Sequence, residues 1–454
     1  MKFLLRIISI AVLLFLFSCQ SEDEYIPLEI EANPDSEEVF QNSFVEIKVL
    51  QNDVNVPKGA IFTVGNSQNA SISVTDPNQT PDDQTDDVLT YIPNGSFVGE
   101  DIFEYSICDS EQHSCATGVV TVNVLEVSPV VLDLDAVPYA TLSEYHFFEE
   151  NLSDQNPVYG VVPYEPINSL FTDYAKKKRF VWMPYGKKAV YVSDYESLDF
   201  PVGTVLIKNF YYENVQPGNV QRIIETRLLI KKETEWIFAE YVWNADQSEA
   251  FLDMEGSYTE VNWLENGEAK SNNYRVPSHS ECFTCHKSSE TVVPIALKPQ
   301  NLNSDFSYPE GSKNQLQKLV EFGYLKNTIP NSIETVVPWN DASQDISLRM
   351  RSYVDINCAH CHSSTGHCDY RPLRFNFHES GDETNMGVCV LPDTQIPPYT
   401  KIVVPGDPLR SVLHFRVSTT LEQYKMPLLG RNMVDENAVI MVEEWINSLT
   451  TNCQ

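Results

Sequence analysis

Ile102-Phe-Glu-Tyr-Ser-Ile107 and Val119-Val-Thr-Val-Asn-Val-Leu125 alternate apolar and polar residues. Because successive side chains of a strand point to opposite faces, this alternation predicts half-buried β-strands. Residues 44–50 and 88–92 repeat the pattern, with turn-forming residues between the runs. Several short strands at this spacing predict an all-β sandwich over residues 31–127.

The predicted sandwich resembles the bacterial Ig-like, cadherin-type module of surface proteins. The matching runs are Val49-Leu-Gln-Asn-Asp53 and Tyr91-Ile-Pro-Asn-Gly-Ser-Phe-Val-Gly-Glu-Asp-Ile-Phe-Glu-Tyr105, and the chain carries one copy. The resemblance implies either adhesion or a spacer that lifts the next domain off a membrane. We favour the spacer because no distinctive binding feature stands out in the segment.

The remainder of the chain changes from strand to helix patterns. After a linker at 128–138, runs rich in aromatic and β-branched residues predict a second β-rich domain over residues 139–276. The predicted strands cover 178–183, 203–211, 225–230 and 236–243. Beyond Pro277, apolar residues at helical spacing predict helices at 314–323, 346–357 and 434–449. We therefore expect a multidomain protein whose C-terminal part is all-α.

Charge limits the partners of this chain. The 454 residues include 31 Lys and Arg against 64 Asp and Glu, for a formal net charge of −33. Nucleic acid and an anionic membrane face would both repel such a surface, and we exclude them as partners. A protein partner with a basic surface suits it better.

The N-terminus predicts export. Lys2 and Arg6 precede an apolar run at 7–17, as in a secretory signal peptide. Leu16-Phe-Ser-Cys19 resembles the lipobox of bacterial lipoproteins, which implies a signal peptide at 1–18, a lipid on Cys19 and an acidic tether at 19–30. The alternative is an ordinary signal peptide with an incidental cysteine. We expect an outer-membrane lipoprotein of the cell envelope, periplasmic or surface-exposed, that meets the membrane through its lipid anchor only.

Export makes disulfides permissible. The chain has ten cysteines, of which Cys19 is assigned to the lipid and four belong to the motifs described next. The natural local pairs are Cys108 with Cys115 and Cys368 with Cys389, although spacing alone does not prove connectivity. Cys453 is left over.

Two Cys-x-x-Cys-His motifs carry the chemistry of the sequence, Cys282-Phe-Thr-Cys285-His286 and Cys358-Ala-His-Cys361-His362. In an exported protein this spacing is typical of covalent haem c: two thiols bind the vinyl groups and the adjacent histidine ligates the iron. Zinc is the competing interpretation, but it needs a second ligand pair per site, and none has the right spacing near Cys282. A disulfide within either motif is the third.

From about Tyr145 to its end the chain resembles a little-characterised family of bacterial dihaem c-type cytochromes, over roughly two thirds of its length. The matching runs are Leu170-Phe-Thr-Asp-Tyr-Ala175, Phe200-Pro-Val-Gly-Thr204, Glu225-Thr-Arg227, Tyr274-Arg-Val-Pro277, Asn314-Gln315, Asn357-Cys-Ala-His-Cys-His362, Pro405-Gly-Asp-Pro408 and Met426-Pro-Leu-Leu-Gly430. The resemblance implies two covalently bound haem c groups, with a first haem-binding region at 277–340 and a cytochrome c-like domain at 341–454.

Similarity to small cytochromes c also implies the sixth ligand of the second haem. In those proteins a Met-Pro loop late in the domain supplies it, which points to Met426. Met386, Met433 and Met441 are the rivals, and Met441 is better explained as helix core. His360 is expected to be an exposed spacer residue within its motif.

The first haem has no such ligand nearby. Between His286 and Met350 there is neither Met nor His, so the ligand must come from elsewhere or be absent. Upstream candidates are Met183, Met254, His146 and His279, and Met183 is preferred because it ends a strand beside aromatic residues. The function expected is electron transfer with a redox partner protein. The alternatives are a haem oxidoreductase, such as a peroxidase or dehydrogenase subunit with an open first haem, and a polymer-binding surface protein.

Overall fold

The computed structural model describes residues 29–295 and 297–453. Cys19, the signal peptide and nearly all of the tether lie outside these described residues. The chain divides into two compact units, the first ending at Val127 and the second beginning at Ser128. Among the described helices, none has the length and apolar character needed to cross a membrane.

The first unit is a β-sandwich. Its strands are β1 (Asp35–Phe40), β2 (Val45–Ile47), β3 (Ile61–Val64), β4 (Ala70–Thr75), β5 (Val88–Pro93), β6 (Gly99–Cys108) and β7 (Cys115–Leu125). They form a sheet of order β1-β7-β6-β3 and a sheet of order β2-β5-β4. Inward residues of both sheets, among them Leu89, Tyr91 and Phe103, share one core. The Ig-like fold expected from the alternation is therefore present, and a disulfide joins Cys108 to Cys115 where β6 leads into β7.

The second unit is organised by an eight-stranded sheet. Its strands are β8 (Val162–Tyr164), β9 (Lys176–Trp182), β10 (Val205–Val215), β11 (Val220–Lys231), β12 (Trp236–Trp243), β13 (Ala250–Leu252), β14 (Ser257–Glu265) and β15 (Glu268–Val276). The order is β13-β12-β11-β10-β14-β15, and β9 also pairs with β10 and carries β8 at its other edge. Two small hairpins follow, β16 (Lys287–Ser288) with β17 (Thr291–Val292) and β18 (Asp305–Tyr308) with β19 (Gly311–Asn314).

Both faces of the large sheet are covered. Ile207, Leu228 and Tyr241 lie on the first face and pack against residues of the 130–161 segment. Leu206 and Trp236 lie on the second face, where they share a core with Leu297 and Leu302. Burial on both faces explains why these strands are apolar runs with little alternation.

The prediction of an all-α C-terminal haem domain is wrong. The described residues contain six short helices, α1 (His279–His286), α2 (Pro299–Leu302), α3 (Gln315–Glu321), α4 (Ile346–Asn357), α5 (Val412–Ser418) and α6 (Glu436–Ser448). No α-helix occurs between Cys358 and Ser411, a described stretch with six prolines and four glycines, which break helices. Instead α4, α5 and α6 pack around this irregular segment through residues such as Phe375, Val403 and Trp445.

The pairing of Cys368 with Cys389 is also wrong. Cys389 forms a disulfide with Cys453, and Cys368 has a free thiol. After α6 packs into the C-terminal core, the end of the chain passes Cys389, and the two Cα atoms lie 5.2 Å apart, within the range that a disulfide spans. Cys368 faces a cavity instead.

Candidate functional site

The first motif lies on α1. Ser278 caps this helix, since the carboxylate of Glu281 accepts from the Ser278 backbone N–H at 3.0 Å and the Ser278 side chain caps in return. The ring of Phe238, on β12, lies 5.1 Å from the ring of His286 and 5.2 Å from that of Phe283, centroid to centroid. Strand β12 thus fixes the helix that carries Cys282, Cys285 and His286.

The ring of His286 has a defined orientation. Its Nδ1 lies 2.8 Å from the carbonyl oxygen of Val293, and a carbonyl can only accept, so Nδ1 carries the proton. Burial lowers the pKa of His286 to about 4, which favours the neutral ring. Nε2 is then the nitrogen with a free lone pair. Histidines that bind metals typically donate their other ring N–H to such a carbonyl.

The second motif begins where α4 ends. The backbone N–H groups of Cys361 and His362 donate to the carbonyl of Cys358, at 3.1 and 2.9 Å. The chain then folds back, and Gly366 comes so close that an added Cβ would lie 2.5 Å from the Cys361 oxygen. Burial lowers the pKa of His362 to about 4, and its Nδ1 is buried without a hydrogen-bond partner among the described residues.

Each motif lines its own cavity. The cavity at the first motif has an empty volume of ≈ 1090 Å³ and that at the second ≈ 1120 Å³, both including some open solvent. The second cavity brings His362 and Met426 together, along with apolar residues such as Phe375 and Leu413. That His362 and Met426 bind one metal ion stays a prediction.

The other ligand candidates do not line the cavities found at the motifs. Met183 is buried in the core on the second face of the sheet, and Met386 and Met441 are buried in the C-terminal core. Met433 packs against a separate apolar cluster near Trp263. Met254, His146 and His279 are likewise absent from the residues that line either cavity.

A row of charged side chains reaches the first cavity, and no role was predicted for it from the sequence. Arg179, Lys208, Arg227 and Glu240 are successive cross-strand neighbours on β9, β10, β11 and β12. Residues directly opposite each other on paired strands share a face, and the last three line the first cavity. The available signal was a charged residue close to apolar neighbours within a strand, as in Leu206-Ile-Lys208 and Phe238-Ala-Glu240. We name this set the charged row.

Within the charged row, Arg179 and Glu240 are buried, Lys208 and Arg227 are half-buried, and only some of the charges are paired. Arg227 binds the carboxylate of Glu225 through Nε at 2.9 Å and Nη2 at 2.5 Å, and the hydroxyl of Tyr274 donates to the same carboxylate at 2.6 Å. The Cys282 thiol donates to Glu240 at 2.8 Å. Burial lowers the pKa of Lys208 well below its ordinary value, and Arg179 lowers it further. Within the described part of the chain, the Lys208 ammonium forms neither a hydrogen bond nor an ion pair.

The two motifs meet. Cys285 Sγ, Cys361 Sγ and a ring nitrogen of His360 lie within 4.8 Å of one another. The interpretation of His360 as an exposed spacer is therefore wrong, since its ring is only partly accessible and lines both cavities. The cause is that α4 delivers the second motif directly against the end of α1.

Comparison with known proteins identifies one segment. Residues 27–123 match the family model of the bacterial Ig domain, which confirms the Ig-like module. No curated protein matches the chain. Among solved structures, the chain is similar to an endo-fucoidan hydrolase from glycoside hydrolase family 107, at 11% identity and a TM-score of 0.17. That alignment covers 54% of this chain and 28% of the hydrolase, and a TM-score this low does not indicate a shared fold.

The pair of Arg227 and Glu225 gives a stability prediction. Glu225 is fully buried, so Arg227→Met should leave an unpaired buried carboxylate and lower the free energy of unfolding by about 3–5 kcal/mol. Urea unfolding followed by tryptophan fluorescence measures this, because all six tryptophans lie in the second unit. The double variant Glu225→Gln/Arg227→Met should lose less free energy of unfolding, because no unpaired charge is left buried. A double variant at least as unstable as Arg227→Met would contradict this role of the ion pair.

Proposed function

We propose that this chain is a c-type cytochrome that carries two covalently attached haem groups and transfers electrons in the cell envelope. The proposal rests on one observation: the four cysteines and the two terminal histidines of the Cys-x-x-Cys-His motifs line two adjoining cavities. A haem c supplies an iron that exchanges one electron between its ferric and ferrous states. The protein residues position the group and tune it.

The state of the motif cysteines is compatible with covalent attachment of haem. The four motif cysteines, Cys282, Cys285, Cys358 and Cys361, have free thiols, whereas four other cysteines form disulfides. A thiol adds across a vinyl double bond, with the sulfur on one carbon and the hydrogen on the other, so attachment needs no oxidant. The hydrogen bond from the Cys282 thiol to Glu240 holds that sulfur at the wall of the first cavity.

Zinc explains fewer of these residues. The cluster of Cys285, His360 and Cys361 offers three ligand atoms close together, but structural zinc sites take four. Such a site would take one cysteine from each motif and leave Cys282, Cys358 and both motif-ending histidines without a role. Haem attachment uses all of them.

His362 and Met426 would together hold the second iron. Both residues line the second cavity, and no other methionine is found among the residues that line it. A thioether ligand favours the ferrous state and raises the reduction potential. The second site is thus suited to receiving and passing on electrons.

Location and partner follow from the sequence alone. The lipobox-like run ending at Cys19 supports anchoring to the envelope, and the Ig-like module would act as the spacer. The net charge of −33 favours a redox partner whose docking surface is basic.

The proposal predicts two haems per chain. After expression with a c-type maturation system, a pyridine haemochrome assay should count two in the wild type. The variants Cys282→Ser/Cys285→Ser and Cys358→Ser/Cys361→Ser should each carry one. Cys368→Ser is the matched control, because Cys368 lines the second cavity but belongs to neither motif, and it should retain two. Bound zinc in place of haem, or haem loss in the control alone, contradicts the proposal.

Met426→His should lower the potential of the second haem and abolish the sulfur-to-iron charge-transfer band of the oxidised protein. The reason is that an imidazole stabilises ferric iron better than a thioether does. Near-infrared absorbance and a redox titration measure the two effects. Met433→Leu, away from the cavity, should change neither; an unaltered band in Met426→His means that another residue is the ligand.

The residues that line the first cavity raise a second candidate function, that of a haem oxidoreductase. No methionine is found among its lining residues, while Lys208, Arg227 and Glu240 are. Acid–base groups beside an open iron position are what peroxide chemistry needs. The same wall also offers Lys208, whose unpaired amine would close the iron and leave electron transfer as the sole role. We favour closure by Lys208.

Electron paramagnetic resonance of the oxidised protein separates these functions. If Lys208 closes the first iron, the wild type should show two low-spin signals, and Lys208→Ala should convert one to high spin. Lys177→Ala is the matched control, since Lys177 lies on the same face but does not line the cavity. A high-spin signal in the wild type that shifts with cyanide or peroxide would establish the oxidoreductase instead.

A further inference from the structure

Hydrogen bonds join the two segments that carry the motifs. The Cys361 thiol lies 3.7 Å from the carbonyl oxygen of Thr284, although 77 positions separate them. Just beyond the motifs, the backbone N–H of Ser289 donates to the Thr365 carbonyl at 2.6 Å, and the hydroxyls of Ser288 and Thr365 lie 3.0 Å apart. These contacts fix the distance between the attachment points.

The two cavities also share a wall. Cys285, His360, Pro427 and Leu429 line both of them. Each of these four residues contacts both cavities. A group attached at Cys285 and a group attached at Cys361 would therefore meet at this shared wall.

His360 is the polar member of the wall. It comes from a variable position of the second motif, but its ring lies beside Cys285 of the first. Its Nδ1 is buried and has no hydrogen-bond partner among the described residues. Such an orphaned buried nitrogen is costly unless a bound group satisfies it. It is consistent with a ring placed to serve a cofactor.

We propose that the two sites form a single dihaem centre, in which Cys285 and Cys361 join the two groups at one wall and His360 acts as a positioning residue for the first. This inference rests on the proposed function. It adds that the sites are coupled: the chromophores interact, and a residue of the second motif tunes the first site.

Circular dichroism in the Soret region tests the coupling. The wild type should show a bisignate couplet, because two strong transitions held close together split. Each single-site variant, Cys282→Ser/Cys285→Ser or Cys358→Ser/Cys361→Ser, should show one simple band. A wild-type spectrum equal to the sum of the two single-site spectra would overturn the inference. Counting haems in the same samples keeps the proposals apart, since fewer than two haems in the wild type contradicts the proposed function itself.

The positioning role of His360 is tested in a variant that cannot attach the second haem. In the Cys358→Ser/Cys361→Ser background, His360→Ala should shift the reduction potential of the remaining first haem. His367→Ala is the matched control, because His367 is exposed and lines only the second cavity. An equal potential with and without His360 would overturn its positioning role, and a similar shift in both variants would make the effect nonspecific and overturn it as well.

Discussion

The antiparallel register of β9 to β12 is the constraint on which the proposed site depends. It sets Lys208 opposite Arg179 on one side and Arg227 on the other, and Arg227 opposite Glu240. Because side chains alternate between faces, a slip of one residue in any pair would turn its charged side chain into the opposite, apolar core. The apolar residues on both faces therefore hold the register, and the register places the charged row beside α1.

The same arrangement brings together motifs that are far apart in the sequence. Helix α1 rests on β12 through Phe238, and α4 ends against α1, so that Cys361 reaches Thr284. The sheet thus supplies one wall of the first cavity, and α5 together with irregular segments lines most of the second. The large β-sheet that precedes the two Cys-x-x-Cys-His motifs is therefore part of the proposed site and not only a spacer.

The parts of the fold that local pattern dictates were predictable. Strands β10 to β12 are rich in β-branched and aromatic residues, and α4 has the bounds that its apolar spacing indicated. Features that depend on contacts between distant parts of the chain were not predictable. The all-α expectation extended three real helices across a proline-rich segment, and the partner of Cys389 depended on where α6 leaves the end of the chain. The position of Lys208 depends on strand pairing and that of His360 on a contact between helices, and spacing along the chain encodes neither.

The proposed function requires covalent attachment of two haems at adjoining sites. Mass spectrometry of the intact, denatured protein tests it most directly, because denaturation removes bound metals and non-covalent cofactors but leaves thioether bonds in place. We expect a mass increased by two haem groups, with one on each motif peptide after digestion. A chain of unmodified mass from cells that mature other c-type cytochromes would contradict it.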